Sequence, residues 1–97
     1  MHTSSDLPTL ARFARHLVSD FHLAAHPGLA LRLTEAAALD PARPDDHHFS
    51  LLFRGPAQPL LPQAIHTLGH ADLGSLAIFL VPLGRDAGGT LYQAIFN

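Results

Sequence analysis

The second half of the chain, residues 49–97, consists of short apolar runs separated by Gly, Pro and Asp. The runs read FSLLFRG, AIHTL, LAIFLVPL and TLYQAIF. Apolar runs of this length, several with an apolar residue at every second position, predict antiparallel strands rather than helices. Because 97 residues leave room for one hydrophobic core, we expect residues 1–97 to form a single all-β domain.

The N-terminal region predicts one short helix. Thr9 is a good N-cap, and Leu10, Phe13 and Leu17 recur at helical spacing. A helix of two to three turns is unstable alone, so it is expected to cover an open end or face of the sheet. Residues 1–6 are small and polar, and we expect them to be frayed.

Six strands are expected in all. The first two should form a hairpin around His26-Pro27-Gly28, since Pro presets one φ angle and Gly accepts a positive one. The fifth is apolar on both faces, which predicts burial on both sides. The expected strands are Phe21–Ala25, Leu29–Leu39, Phe49–Arg54, Ala64–Leu68, Leu76–Leu83 and Thr90–Phe96. The predicted fold is a small six-stranded antiparallel barrel or sandwich with one short N-terminal helix.

The charge content argues for a protein partner and against a nucleic acid. Charged residues are 14% of the chain and apolar residues 47%, whereas soluble domains carry roughly 25% charged residues. So few charges suggest a surface for self-association or for another protein. The six basic residues are all Arg, scattered along a chain of net charge −2, so no polybasic footprint for DNA or RNA is present.

Membrane and secretory signals are missing from the sequence as given. The longest apolar run, Leu76–Leu83, is far shorter than the roughly 20 residues that cross a bilayer. The stretch MHTSSDLPTLARF has no charged segment followed by an apolar one, as a signal peptide would. Without either signal, the expected location is the cytoplasm, while the absence of cysteine leaves the redox compartment undetermined.

The eight histidines raise the question of a metal site. Candidate ligands are His66, His70 and Asp72, together with the pair His47-His48. Zinc requires three or four convergent ligands, whereas residues four apart on a strand lie roughly 13 Å apart, so His66 and His70 would need a turn at Gly69 to meet. We therefore predict no metal and no cofactor, and keep a His/Asp metal-dependent hydrolase as a third possibility.

No catalytic residues are predicted. No serine lies in a Gly-x-Ser-x-Gly context, and no paired carboxylates stand at a useful spacing. A second possibility is a barrel that binds a small molecule, with Arg54, Arg85 and Tyr92 as polar contacts near one end. A barrel of this size is normally filled by its own side chains, which favours core packing over a ligand cavity.

Several short strings resemble a small bacterial family of unknown function. They include PLLPQ (59–63), FLVP (79–82), GRD (84–86) and the closing YQAIFN (92–97). Members of that family are about this length, begin with a short helix and end in VPxGRD…YxAxFN strings. The resemblance implies the same small fold. Through an association with phage tail-collar-like proteins, it also implies a structural or assembly role.

Together these features predict a non-enzymatic structural or protein-interaction module that assembles with itself or a partner. The simplest contact would be main-chain hydrogen bonding at a free sheet edge. The candidate edges are the strand Thr90–Phe96, presenting Thr90, Tyr92, Ala94 and Phe96, and the strand Phe21–Ala25.

Overall fold

The computed structural model describes residues 9–97, so the prediction for residues 1–6 lies outside the described part of the chain. One short helix precedes six strands in these residues. They are α1 (Leu10–Ala14), β1 (Asp20–Leu23), β2 (His26–Ala38), β3 (Phe49–Gly55), β4 (Ala64–His70), β5 (Gly74–Asp86) and β6 (Gly89–Phe96). No helix among the described residues is long and apolar enough to span a bilayer.

The strands close into a barrel in the order β1-β2-β3-β6-β5-β4, with every neighbouring pair antiparallel. The predicted all-β fold with one N-terminal helix is confirmed, and it is a barrel rather than a sandwich. Closure depends on a short ladder between β1 and β4, where His22 lies opposite Gly69 and Leu23 opposite Leu68. By contrast, β3 is paired with β6 along its whole length.

Alternation along the strands decides which side chains fill the barrel. In β3, Phe49, Leu51 and Phe53 are fully buried, whereas Leu52 and Arg54 point outward and are partly exposed. Burying a large apolar side chain stabilises a fold by roughly 1.5–3 kcal/mol, so this inner row is a major part of the core. The other buried apolar residues are Phe13, Phe21, Leu23, Leu29, Leu31, Leu33, Leu61, Leu68, Ile78, Leu80, Tyr92 and Ala94.

Helix α1 covers one end of the barrel. The Thr9 side chain caps it by accepting a hydrogen bond from the Arg12 N–H at 3.2 Å. Phe13 is 1% exposed and packs on the rings of Phe49 and Phe96, with centroids 5.8 and 5.7 Å away. The helix is shorter than predicted, since it ends at Ala14 and leaves Leu17 43% exposed.

The first hairpin turns earlier than the sequence predicts. Leu23 lies opposite His26, so the turn is at Ala24-Ala25, and Pro27-Gly28 belongs to β2. An irregularity in the register leaves Pro27 and Gly28 without an opposite residue in β1. Proline is tolerated there because the missing N–H is not needed by the ladder. The extension of β2 through Ala38 agrees with the prediction.

Strand β5 is not buried on both sides, so that prediction is wrong. Ile78 and Leu80 point into the core and are 2% and 0% exposed. Phe79, between them, is 46% exposed on the outside of the barrel, and Leu83 is 51% exposed. The strand reads as apolar on both faces because its outward face also carries apolar residues.

Two glycines allow β3 and β6 to approach closely at one end. Gly89 has a φ of +113°, a region that side chains rarely adopt. A Cβ atom at this position would overlap the carbonyl oxygen of Gly55. The start of β6 therefore requires glycine for both space and backbone conformation.

Candidate functional sites

Tyr92, a predicted ligand contact, lies inside the barrel. Its side chain is 1% exposed, and its hydroxyl accepts a hydrogen bond of 3.0 Å from the backbone N–H of Leu61. Leu61 is itself 5% exposed, in the loop between β3 and β4. Tyr92 thus fastens this loop to the core and presents no polar atom to a ligand at the surface.

Arg54 and Arg85, the other predicted contacts, remain on the surface. Arg54 Nη1 donates to Asp86 Oδ1 at 2.6 Å, and the Gly88 N–H donates to the same oxygen at 2.8 Å. These hydrogen bonds, that from Arg54 first, hold the pKa of Asp86 below its usual value. Arg85 is exposed in the same hairpin. The three predicted contacts therefore do not converge on one site, because Tyr92 faces the interior.

A second arginine, which sequence reasoning missed, lies beside Arg54. Arg32 of β2 is directly opposite Arg54 of β3, and its Nε donates to Asp20 Oδ1 at 3.1 Å. Both arginines line a shallow surface depression of about 410 Å³. The other lining residues include Ala30, Thr34, Gly55, Pro56 and Gly88. Nothing in the sequence fixes the register that brings the two arginines together.

The predicted metal candidates separate into two groups. His66 Nε2 lies 2.8 Å from the carbonyl oxygen of Pro62 and takes no part in a cluster. His70 and Asp72 are joined by His16, and one ligand atom from each lies within 4.8 Å of the others. His16 follows α1, and sequence reasoning missed it because only the fold brings it to the β4–β5 turn.

The hydrogen bonds of His70 leave no ring nitrogen free. Its Nδ1 accepts from the backbone N–H groups of Asp72 and Leu73 at 3.0 and 3.3 Å. A neutral imidazole with an accepting Nδ1 carries its proton on Nε2, and Nε2 lies 2.9 Å from Ser19 Oγ. The Ser19 hydroxyl in turn donates to the carbonyl oxygen of His16.

With its proton on Nε2, the neutral His70 ring donates a hydrogen bond to Ser19 Oγ. Burial lowers the pKa of His70, as does the nearby His16, whose ring lies 4.8 Å away in an edge-on contact. The cluster therefore holds the β4–β5 turn against the segment that follows α1.

The pair His47-His48 also stays apart from this cluster. It lies in the loop between β2 and β3, where His48 Nδ1 is 3.4 Å from Asp45 Oδ2. The His47 N–H donates to the Asp45 side chain at 2.8 Å. Both contacts are local to the loop.

The predicted interface residues mostly face inward. Thr90, Tyr92 and Ala94 are at most 1% exposed, and the Phe96 ring stacks on Phe49 with centroids 4.6 Å apart. Strand β6 has no free edge, since it pairs with β3 on one side and β5 on the other. The alternate candidate, β1, is likewise paired on both sides with β2 and β4. The predicted edge contact is wrong for both strands because the sheet closes on itself.

The opposite side of the same strands forms an exposed surface that we call the outer apolar face. Ile65 of β4 lies opposite Phe79 of β5, and these side chains are 69% and 46% exposed. Ile95 of β6 is 52% exposed, and the three side chains line a second surface depression of about 400 Å³, together with His47. The face is completed by Leu52, Ala77, Val81 and Leu91, with Thr67 and Gln93 as polar members.

The charged residues of the strands lie outside this face, on β1 and β2, at Arg54 of β3 and at the end of β5 in Arg85-Asp86. Strands β1 and β2 present Asp20, Arg32 and Glu35 to solvent. The outer apolar face carries no charged side chain, and Arg54 borders it on β3. An exposed sheet face of this composition is typical of a contact surface between proteins.

The comparisons with known proteins identify a family but no characterised relative. No curated protein and no solved structure matches the chain. A family model described as a domain of unknown function matches residues 8–96, which is nearly the whole chain. The chain therefore belongs to the DUF6916 family of domains of unknown function.

Proposed function

We propose that this protein is a non-enzymatic assembly module that self-associates through the outer apolar face. The observation that carries the proposal is the exposure of Ile65, Phe79 and Ile95 on three adjacent strands. Water is released when such side chains are covered, and each square ångström of apolar surface removed from water contributes roughly 25 cal/mol. Because the strand edges are paired, the contact would be made by side chains rather than by adding a strand.

The occupant that fits this face best is a second copy of the chain. Since the face carries no charge, two identical faces meet without like-charge repulsion, and no fixed charge selects a different partner. Four strands at about 4.8 Å spacing and some six residues at about 3.3 Å give a footprint of roughly 400 Å². That is about half of the roughly 800 Å² that each partner buries in a standard interface. The loops at both ends must supply the remainder.

The charges of these loops are complementary when the two copies run antiparallel. Arg85, at the β5–β6 end of the face, is exposed and forms no ion pair among the described residues. The loop at the opposite end, residues 39–48, contains three aspartates and one arginine. A two-fold axis lying in the interface across the strands brings the Arg85 end of one copy to the acidic loop of the other. Such contacts favour this orientation over the parallel one.

Sedimentation velocity over an approximately 100-fold range of concentration tests the proposal, because a dimer of micromolar affinity changes its population over that range. The wild-type protein should shift from monomer to dimer, and Ile65→Glu should remain monomeric. Val18→Glu is the matched control, since Val18 is 68% exposed and its N–H donates to the Leu33 carbonyl oxygen of β2, a strand that is not part of the face. Far-UV circular dichroism checks that each variant is folded. A wild-type protein that stays monomeric throughout, or a control that dissociates equally, contradicts self-association through this face.

The setting of this role is also a proposal. We infer a cytoplasmic component of phage tail-like assemblies in bacteria, and the support is the resemblance of the strings from residue 59 onward to the bacterial family described above. Affinity purification from a bacterial host that encodes such an assembly should recover tail proteins with the wild-type chain and lose them with Ile65→Glu. If no tail protein is recovered, the phage-tail part of the proposal is contradicted. Self-association is tested separately by sedimentation.

A further inference from the structure

Arg32 and Arg54 form an unusual pair on the outside of the barrel. They are directly opposite each other on β2 and β3 and line the same depression. Side chains in this relation have Cβ atoms roughly 5 Å apart, and like charges at that position destabilise a sheet. The chain contains six arginines and no lysine, so two of its six permanent cations stand side by side. Because their repulsion destabilises the sheet, we expect the two arginines to contact negatively charged groups.

Two carboxylates compensate the pair only in part. Arg32 bonds Asp20 through Nε, and Arg54 bonds Asp86 through Nη1. A guanidinium has five N–H donors, so each arginine is held in orientation by one nitrogen while further N–H groups remain for another acceptor. Both side chains reach solvent, being 56% and 32% exposed for Arg32 and Arg54.

The depression between them suits a small group with several oxygen atoms. Its volume is about 410 Å³, and its lining includes Asp20, Thr34, Gly55 and Gly88 beside the two arginines. A Cβ atom at Gly88 would lie 2.9 Å from Arg54 Nη1, so glycine leaves the space that the guanidinium occupies. Arginine forks match the geometry of phosphate and can bind it through two parallel N–H···O hydrogen bonds.

We propose that Arg32 and Arg54 together bind the phosphate group of a small molecule in this depression. The site does not depend on self-association, since none of the residues that line the depression belongs to the outer apolar face, which Arg54 only borders. Asp20 and Asp86 cancel the formal charge of the two arginines, so the affinity for inorganic phosphate should be modest, in the millimolar range, which corresponds to roughly 4 kcal/mol. A ligand with further contacts to the depression would bind more tightly.

Titration of the full chain with inorganic phosphate, followed by NMR at constant ionic strength, tests the site. The Nε–H signals of Arg32 and Arg54 should shift and saturate together, and the signal of Arg85 should not move. Arg32→Gln and Arg54→Gln should each weaken phosphate binding by about tenfold, the loss of one charged hydrogen-bonding partner. Arg85→Gln is the matched control, because Arg85 is exposed and does not line the depression, so the variant removes an equal charge elsewhere on the protein.

Two further outcomes decide the chemistry. Succinate, titrated in the same way, should bind more weakly than phosphate, and stronger binding of succinate would overturn the phosphate assignment. Shifts that never saturate, or that Arg85→Gln weakens as much as Arg32→Gln does, would reveal general charge screening and overturn the site. The wild-type titration does not depend on the folding of any variant. Arg32 is the more exposed of the two arginines, so its substitution is less disruptive to the fold.

Discussion

Replacing Tyr92 by Phe should destabilise the barrel through a single lost hydrogen bond. The tyrosine hydroxyl is the acceptor for the Leu61 N–H, and both residues are buried. Phenylalanine keeps the ring and its packing, so no cavity forms. The Leu61 N–H would be left in an apolar environment without a partner.

The size of the effect follows from that orphaned group. Leaving a buried donor unsatisfied costs about 1–3 kcal/mol. For 97 residues the entropy of unfolding is about 0.2 kcal/mol/K, so the melting temperature should fall by roughly 5–15 °C. The loop between β3 and β4 should also become more accessible to protease, because its attachment to the core is lost.

Urea unfolding of the wild-type and Tyr92→Phe proteins measures the change in free energy directly. Thr67→Val is the control, since it removes a hydroxyl from an exposed strand position that makes no side-chain hydrogen bond. The control should change stability by less than about 0.5 kcal/mol. A similarly small loss in Tyr92→Phe would refute the reasoning, because the Leu61 N–H would then have another partner.

Two other substitutions test the close glycine contact and the histidine cluster. Gly89→Ala should cost at least about 2 kcal/mol in urea unfolding, because its Cβ overlaps a backbone oxygen at a φ of +113°. Gly84→Ala, with open space around it, should be nearly neutral, and equal losses in the two variants would contradict the steric argument. Because the pKa of His70 is lowered in the folded state, the unfolded chain binds more protons below its usual pKa of about 6.5. The stability from neutral His70 is therefore present above about pH 6.5 and is lost as the pH falls. His70→Asn keeps an acceptor for the turn but cannot titrate, so its urea midpoint should change less between about pH 7.5 and pH 5.5, and an unchanged pH dependence would count against this role for His70.

Local alternation predicted β3 and β6 well, because the side of the sheet on which a residue lies follows from its position in its own strand. Strands β3 and β6 were predicted nearly to the residue, with the partition of Tyr92 and Ala94 from Leu91 and Ile95 as observed. The sequence pattern does not say which of the two sets faces inward. The interface was therefore assigned to the buried set, whereas the exposed set lies on the outer apolar face.

Features that depend on pairing between distant segments could not be predicted. The register of β2 against β3 decides that Arg32 meets Arg54, and a shift of one residue would place them on opposite faces. Closure of the barrel depends on β1 finding β4, some 45 residues further along the chain. His16 joins His70 only once α1 has packed on the barrel end. Periodicity carries no information on these contacts.

The ladder between β1 and β4 has fewer paired residues than any other ladder of the barrel. His22 and Leu23 are the β1 residues paired there, whereas β4 is paired with β5 along its whole length. Parting the ring at this seam breaks fewer backbone hydrogen bonds than parting it between β4 and β5 or between β3 and β6. If the protein ever takes up a strand from another polypeptide, the insertion point is set by this geometry, between the first and fourth strands rather than beside the last.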